Sequence, residues 1–315
     1  MGIIKDKFHQ SMARQEEQPY LVYFRLSNCP NLKAEPYSFY SGNNKLNGYF
    51  YYYDGYQEDV LVIFCHGIGG GHSSYLKEIN ELAKMGYRVL AYDNTGCVSS
   101  QGESIVGLSM SLKDLDNAII SLRQSGEIEN KKIYVVGHSW GGFAASNIYN
   151  FQKVDKIVAI SPFISIEAEY RSLFKGFAKL IVPSILRIEQ KEVGKWAKSS
   201  AIKALNKEDV NALIIHSIDD DVVLYKTNTK ELQKKIHQPN VQFYIVDGKG
   251  HHPQFTEEAV NYFNETFQTF NDKIKNKSIQ SLEDKKAYFQ DKDFNKMTLQ
   301  DEKIWSLIEQ YLKND

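Results

Sequence analysis

Six short apolar runs recur through the middle of this chain, each bounded by turn or breaker residues: Val60–Phe64, Val89–Tyr92, Ile133–Val136, Ile157–Ile160, Ala212–His216 and Val241–Val246. They are continuous in Val, Ile and Leu, whereas a strand with one face in water would alternate. Such runs suit parallel strands buried on both faces. Between them lie helix-period segments: Tyr75–Met85, Leu108–Gln124, Ser139–Asn150, Tyr225–Ile236 and Thr256–Phe270. Strand and helix alternating in this way predict βαβ units on a mostly parallel sheet, so the class is α/β. Upstream, Leu21–Phe24, Tyr37–Tyr40 and Tyr49–Tyr53 alternate or run aromatic, with Gly/Asn turns between. They read as antiparallel edge strands, which need only short loops.

The 315 residues allow two domains or one large, decorated α/β domain. An aromatic content of 13% is too high for a disordered chain. Lys and Arg (38) nearly balance Asp and Glu (39), which leaves no electrostatic footprint for nucleic acid. No stretch approaches the roughly 20 apolar residues of a membrane-spanning helix. The opening residues lack the apolar core of a secretory signal, and Asp6 stands where a myristoylation signal wants Ser or Thr. Cys29, Cys65 and Cys97 are odd in number and show no C-x-x-C spacing, against a disulfide framework or zinc site. The expectation is a cytoplasmic enzyme with no integral membrane segment and no nucleic-acid partner.

Two segments break the rhythm. Residues 161–205 separate two strands by more than one crossover helix requires. Within them Ile166, Tyr170, Leu173, Phe174, Phe177, Leu180 and Ile181 fall on one helical face before Pro183 interrupts. This predicts either a helix on the sheet or a small helical cap over a pocket, in which Phe174 and Phe177 would meet substrate. The tail, 272–315, is rich in charges of both signs. Thr298 with Asp301 and Glu302 forms a capping-type start, and Ile304, Leu307, Ile308 and Leu312 form an apolar stripe. That helix is expected to dock on the body or on a second copy of the chain; a partner helix or a membrane surface are the rarer readings. The remainder, 1–160 and 206–271, is the expected core.

The chemistry concentrates at strand ends. Gly137-His138-Ser139-Trp140-Gly141-Gly142 places a serine between glycines, after a buried strand and at the start of a helix. In that context a G-x-S-x-G turn presents an exposed hydroxyl beside the N–H groups of a helix terminus. A second glycine loop, His66-Gly67-Ile68-Gly69-Gly70-Gly71, follows the strand Val60–Phe64. His72 stands where a Walker motif or a dinucleotide fingerprint would need other residues, so nucleotide binding is disfavoured. A serine needs a base, and a histidine base needs an acid. The strand Ala212–His216 leads into Asp219-Asp220-Asp221, and the last core strand leads into His251-His252. Loops after the carboxyl ends of parallel strands are where α/β sheets gather functional groups, so serine, aspartate and histidine can converge there. His66 and His138 read as structural histidines, His72 as an exposed loop residue, and Cys65 and Cys97 as ordinary thiols. A cation at Asp219–Asp221 lacks a matching ligand set.

The sequence resembles the α/β-hydrolase superfamily, particularly its serine esterase, lipase and S33-type peptidase branch, from about Tyr49 to Phe270. The resemblance implies an eight-stranded sheet, a cap after the sixth strand and acyl transfer. It implies Ser139 as nucleophile, and the backbone N–H groups of Ile68 and Trp140 as the oxyanion hole. It implies Asp220 as acid, with Asp219 and Asp221 as alternatives, and His251 as base in preference to His252. The family's D-x-x-G-x-G-x-S stretch appears here as Asp93 to Ser100, with Val98 in place of the second glycine. The expected protein is a serine hydrolase acting on a small-molecule carboxylic ester, without metal or organic cofactor. A thioester, a lipid ester or a peptide N-terminus would use the same machinery, Glu167 or Glu169 then holding the amine. A Ser139 elbow argues against dehalogenase chemistry, which uses Asp. The competing class is a non-catalytic binding protein that docks through its tail.

Overall fold

The computed structural model describes residues 2–174 and 176–314. Its frame is an eight-stranded sheet of β1 (Lys33–Ser41), β2 (Asn44–Tyr52), β3 (Val60–Cys65), β4 (Arg88–Tyr92), β5 (Lys132–His138), β6 (Lys156–Ile160), β7 (Ala212–Ser217) and β8 (Val241–Val246). The strand order is β1-β2-β4-β3-β5-β6-β7-β8. From β4 to β8 every pairing is parallel, while β2 runs antiparallel to both neighbours. The two faces divide the strand residues by pleat. Leu61, Ile63, Ile133, Val135, Ile157 and Ile214 face one core, with the helices Met110–Gln124 and Trp140–Asn147. Val62, Phe64, Val136, Val158, Leu213 and Ile215 face the other, with the helix Leu76–Lys84 and the C-terminal helix Glu302–Lys313. The apolar runs are continuous because both faces are covered.

Leu21–Phe24 forms no strand. Its side chains cover other elements: Leu21, with Tyr20, joins a satellite cluster around Phe270, Ile279 and Phe289, and the Phe24 ring lies 4.1 Å under Lys77 Nζ. The strands predicted from Tyr37–Tyr40 and Tyr49–Tyr53 are the β1–β2 hairpin, turned at Gly42.

Residues 161–205 hold the helices Ile166–Leu173, Val182–Val193 and Ala201–Leu205, joined by the 3-10 segments Gly176–Ile181 and Gly194–Lys198. The single apolar face expected here is broken. Ile166 and Tyr170 are buried, but the first helix ends at Leu173, and Phe177 and Leu180 are 92% and 76% exposed. Pro183 sits in the first turn of the next helix, where its missing N–H costs nothing, so it starts a helix and interrupts none. Glu189 ties this segment to the body: its carboxylate accepts from the Tyr170 hydroxyl at 2.7 Å and the Ser109 amide at 2.5 Å.

The helix Glu257–Lys275 runs through residue 272, so the change in composition there is no structural boundary. Farther on, Asp301 caps the helix Glu302–Lys313, accepting from the Lys303 amide at 2.8 Å. Thr298 has another task, its hydroxyl donating to Phe294 O at 2.7 Å. Asp301 wins because it directly precedes the first helical residue, where a carboxylate meets the free amides of the first turn. Ile304, Ile308 and Leu312 are buried against the sheet, and Lys156 Nζ donates to the helix's terminal carbonyls of Tyr311 and Leu312 at 3.1 and 3.0 Å. The stripe is thus covered by its own chain, which leaves the expected docking of a second copy through it without an apolar face. Among the described residues, no helix is long and apolar enough to cross a membrane.

Candidate active site

At the end of β5 the chain turns sharply. Ser139 takes φ 55° and ψ −114°, and its amide donates to Ile160 O at 2.8 Å. The neighbouring glycines are there for space: a Cβ on Gly141 would stand 1.9 Å from Cys65 O, and one on Gly137 would stand 2.3 Å from Gly141 O. Trp140 is the first helical residue, so its amide has no acceptor within the helix and lies at the positive end of the dipole.

His251, in the loop after β8, places Nε2 2.8 Å from Ser139 Oγ and Nδ1 2.8 Å from Asp220 Oδ2. Asp220 is buried. Its Oδ1 accepts from the amides of Val222 and Val223, both at 2.9 Å, and its Oδ2 lies 3.1 Å from His216 Nε2. Burial alone would raise this carboxyl, but hydrogen bonds from His216 and His251 hold it well below the usual range. Ionised, it can only accept, so His251 Nδ1 carries the proton and Nε2 is free to accept the serine proton.

The neighbours have other work. Asp219 accepts from the Gly250 amide at 3.1 Å, fixing the turn ahead of the histidine, and Asp221 is exposed. His252 stacks on Phe255 with centroids 4.9 Å apart, and burial lowers its pKa to about 3, so the ring is neutral. Cys65 and Cys97 are buried thiols, Cys65 pushed up to about 12 by burial.

The glycine loop after β3 lies against the elbow: a Cβ on Gly67 would come 3.4 Å from Ser139 Cβ. Ile68 follows, 47% exposed. His66 steadies the loop, its Nδ1 2.7 Å from Gly67 O while its Nε2 accepts from the Asn94 amide at 3.0 Å. His72 is buried, contrary to its reading as an exposed loop residue. Its Nδ1 is 2.7 Å from Asp93 Oδ1 and its Nε2 is 3.0 Å from the Tyr51 hydroxyl. Its neighbours in sequence carry no signal for this, because the partners come from β2 and the end of β4. Asp93 also accepts from the Ser99 amide at 3.0 Å. Between them Val98 takes the place of a glycine at φ 35°. Its amide donates to Gln15 O at 2.9 Å, and the Arg14 guanidinium donates to the carbonyls of Val98, Ser100 and Gly102.

Phe174 is half-buried beside a groove of about 400 Å³ lined by Ala168, Arg171, Lys179, Leu224 and Thr227. Glu167 is exposed and paired with Arg171 at 2.8 Å. Glu169 is buried, and burial, reinforced by the Asp220 charge, pushes it up to about 7; its Oε2 has no hydrogen-bond partner among the described residues.

The profile of the serine aminopeptidase S33 family matches residues 56–208. An esterase of Pyrococcus furiosus superposes with a TM-score of 0.58 at 20% identity, over 83% of this chain and 97% of that one. Est1E of Butyrivibrio proteoclasticus, solved with ferulic acid bound, gives 0.55 at 19% identity over 74% and 98%. An acylaminoacyl peptidase of Pyrococcus horikoshii gives 0.53 at 14% identity over 79% and 44%. No curated protein matches by sequence. Sheet order and elbow agree with these structures, and the chain has the α/β-hydrolase fold, its residues 56–208 resembling the serine aminopeptidase S33 family.

Proposed function

We propose that this chain is a serine hydrolase that cleaves a carboxylic ester through an acyl-enzyme. The observation that carries the reading is the continuous hydrogen-bond chain Ser139–His251–Asp220, with both links at 2.8 Å. Ser139 Oγ attacks the acyl carbonyl carbon as His251 Nε2 takes its proton, and Asp220 stabilises the imidazolium. The oxyanion is received by the amides of Ile68 and Trp140; losing one such donor typically costs about 10²–10³ in rate. His251 then protonates the leaving alcohol, and water repeats the sequence to release the acid. The reading uses no metal or organic cofactor. The reading takes the acyl or alcohol group to be apolar, with the groove at Phe174 and Leu224 as its proposed seat.

A second reading, an aminopeptidase with the same triad, is favoured by Glu169, whose buried carboxyl could receive a substrate amine. The test is labelling with a fluorophosphonate probe, followed by turnover of a nitrophenyl ester and an aminoacyl anilide. Ester turnover with an adduct on Ser139, absent in Ser139→Ala and His251→Ala, is the expected result. Preference for the anilide would move the assignment to the peptidase. A folded protein that takes no adduct and turns over neither would overturn both readings.

A further inference from the structure

Three loops meet at Ser139, and one pair of side chains reaches all three. His138, next to the nucleophile, is buried, with Nε2 2.7 Å from the backbone carbonyl of His251 and Nδ1 2.9 Å from the Tyr75 hydroxyl. A carbonyl only accepts, so Nε2 carries the proton and Nδ1 accepts from tyrosine. Burial, with the imidazoles of His251 and His252 alongside, keeps the ring neutral and this tautomer intact. Tyr75 packs its ring on Phe64, centroids 5.5 Å apart, and its hydroxyl fills the space where a Gly67 side chain would be: a Cβ there would lie 2.3 Å away.

The base needs such support. It sits in a loop whose Gly248 and Gly250 both have positive φ, 72° and 48°, where the backbone has little stiffness of its own. Asp219 clamps the Gly250 amide, and His138 clamps the carbonyl of the following residue, His251. A catalytic group works only when held to within about 0.5 Å. Because His138 is neutral, it supplies this hold without setting a second cation beside the imidazolium.

We propose that Tyr75 and His138 are positioning residues, a brace that fixes the His251 backbone and the Gly67–Ile68 loop at set distances from the elbow. The proposal rests on the serine hydrolase reading. Neither residue touches the reacting atoms; both act through His251 and Gly67.

The test compares Tyr75→Phe, His138→Leu and His138→Gln by turnover of a nitrophenyl ester per active site, titrated with fluorophosphonate. Tyr75→Phe keeps the ring, and the Gln amide can still donate to the His251 carbonyl. Expected are kcat losses of about tenfold for Tyr75→Phe and about a hundredfold for His138→Leu, with KM within about twofold. His138→Gln should recover most of the loss. In the full chain with ¹⁵N-labelled histidine, His138 should report a neutral ring protonated at Nε2. The brace is overturned if His138→Leu keeps kcat within about twofold of the parent, if Gln rescues nothing, or if the proton is on Nδ1. It is equally overturned if the lost activity follows only the loss of titratable, folded sites. A parent protein that takes no label removes the hydrolase reading and the brace with it, whereas an active parent with indifferent variants removes the brace alone.

Discussion

Two residues near the site, Ser139 and Val98, carry side chains at positive φ, 55° and 35°. The chain sustains them by opposite means. Ser139 is clamped by packing, with Gly137 and Gly141 allowing the elbow to close on Cys65 O of the neighbouring strand. Val98 is held by polar bonds: from the N-terminal segment, the Arg14 guanidinium on its carbonyl and Gln15 O on its amide, and from nearby, Asp93 on the following residue. Strain at a functional turn survives only where its surroundings over-determine it. Here one device is steric and the other electrostatic, so they should fail under different perturbations.

Ser139→Gly makes the largest difference: turnover and fluorophosphonate labelling are lost, a fall of about 10⁶ in rate. Calorimetry should show the same variant about 1 kcal/mol more stable, since glycine relieves the turn. Gly141→Ala comes next, because a Cβ 1.9 Å from Cys65 O forces the elbow open. A loss of at least about a hundredfold in kcat/KM is expected, and unchanged kinetics would show that packing does not hold the turn.

Asp93→Asn attacks the second device and should cost about 3 kcal/mol in urea unfolding at pH 7. Burial raises the Asp93 carboxyl, but bonds and charge from His72, helped by His66 and Ser99, bring it well below its ordinary range. The stabilisation is therefore present above the ordinary aspartate range and lost as pH falls, so the deficit of the variant should shrink below about pH 4. A deficit independent of pH would mean that Asp93 acts through shape alone.

Arg14→Ala should cost about 2 kcal/mol, read from the same unfolding curves, with kcat nearly unchanged. Val98→Gly is the smallest effect, within about 1 kcal/mol by itself, because relief of φ offsets the added chain entropy. Combined with Arg14→Ala it should recover about half of that variant's loss. Strict additivity would erase the distinction between the steric and the electrostatic device.

The same contrast explains what is legible in the sequence. Parallel strands covered on both faces announce themselves as continuous apolar runs, and Ser139, Asp220 and His251 each stand in a short motif at the end of one. Among three consecutive aspartates it is the resemblance that prefers Asp220, and the amides of Val222 and Val223 hold its carboxylate. Burial of His72 is not legible, because its partners, Tyr51 on β2 and Asp93 just past β4, are each 21 residues away. The contact of His138 with the His251 carbonyl spans 113 residues. The apolar face in 161–205 misleads because helical periodicity continues past Leu173, where the helix itself stops. Thr298 misleads because two capping residues lie within one turn of the helix start, and only the nearer, Asp301, reaches the free amides.

The strap on Val98 has a consequence for how sequences like this one can change. With glycine at 98, the arginine at 14 still binds the carbonyls of Ser100 and Gly102 but has no strained turn to hold, so its loss is better tolerated. Once valine is in place Arg14 has a strained turn to hold, and the order of the two substitutions matters: arginine first and valine second keeps stability throughout, while the reverse order passes through an intermediate about 2 kcal/mol less stable. Two positions 84 residues apart have thereby become a single heritable unit.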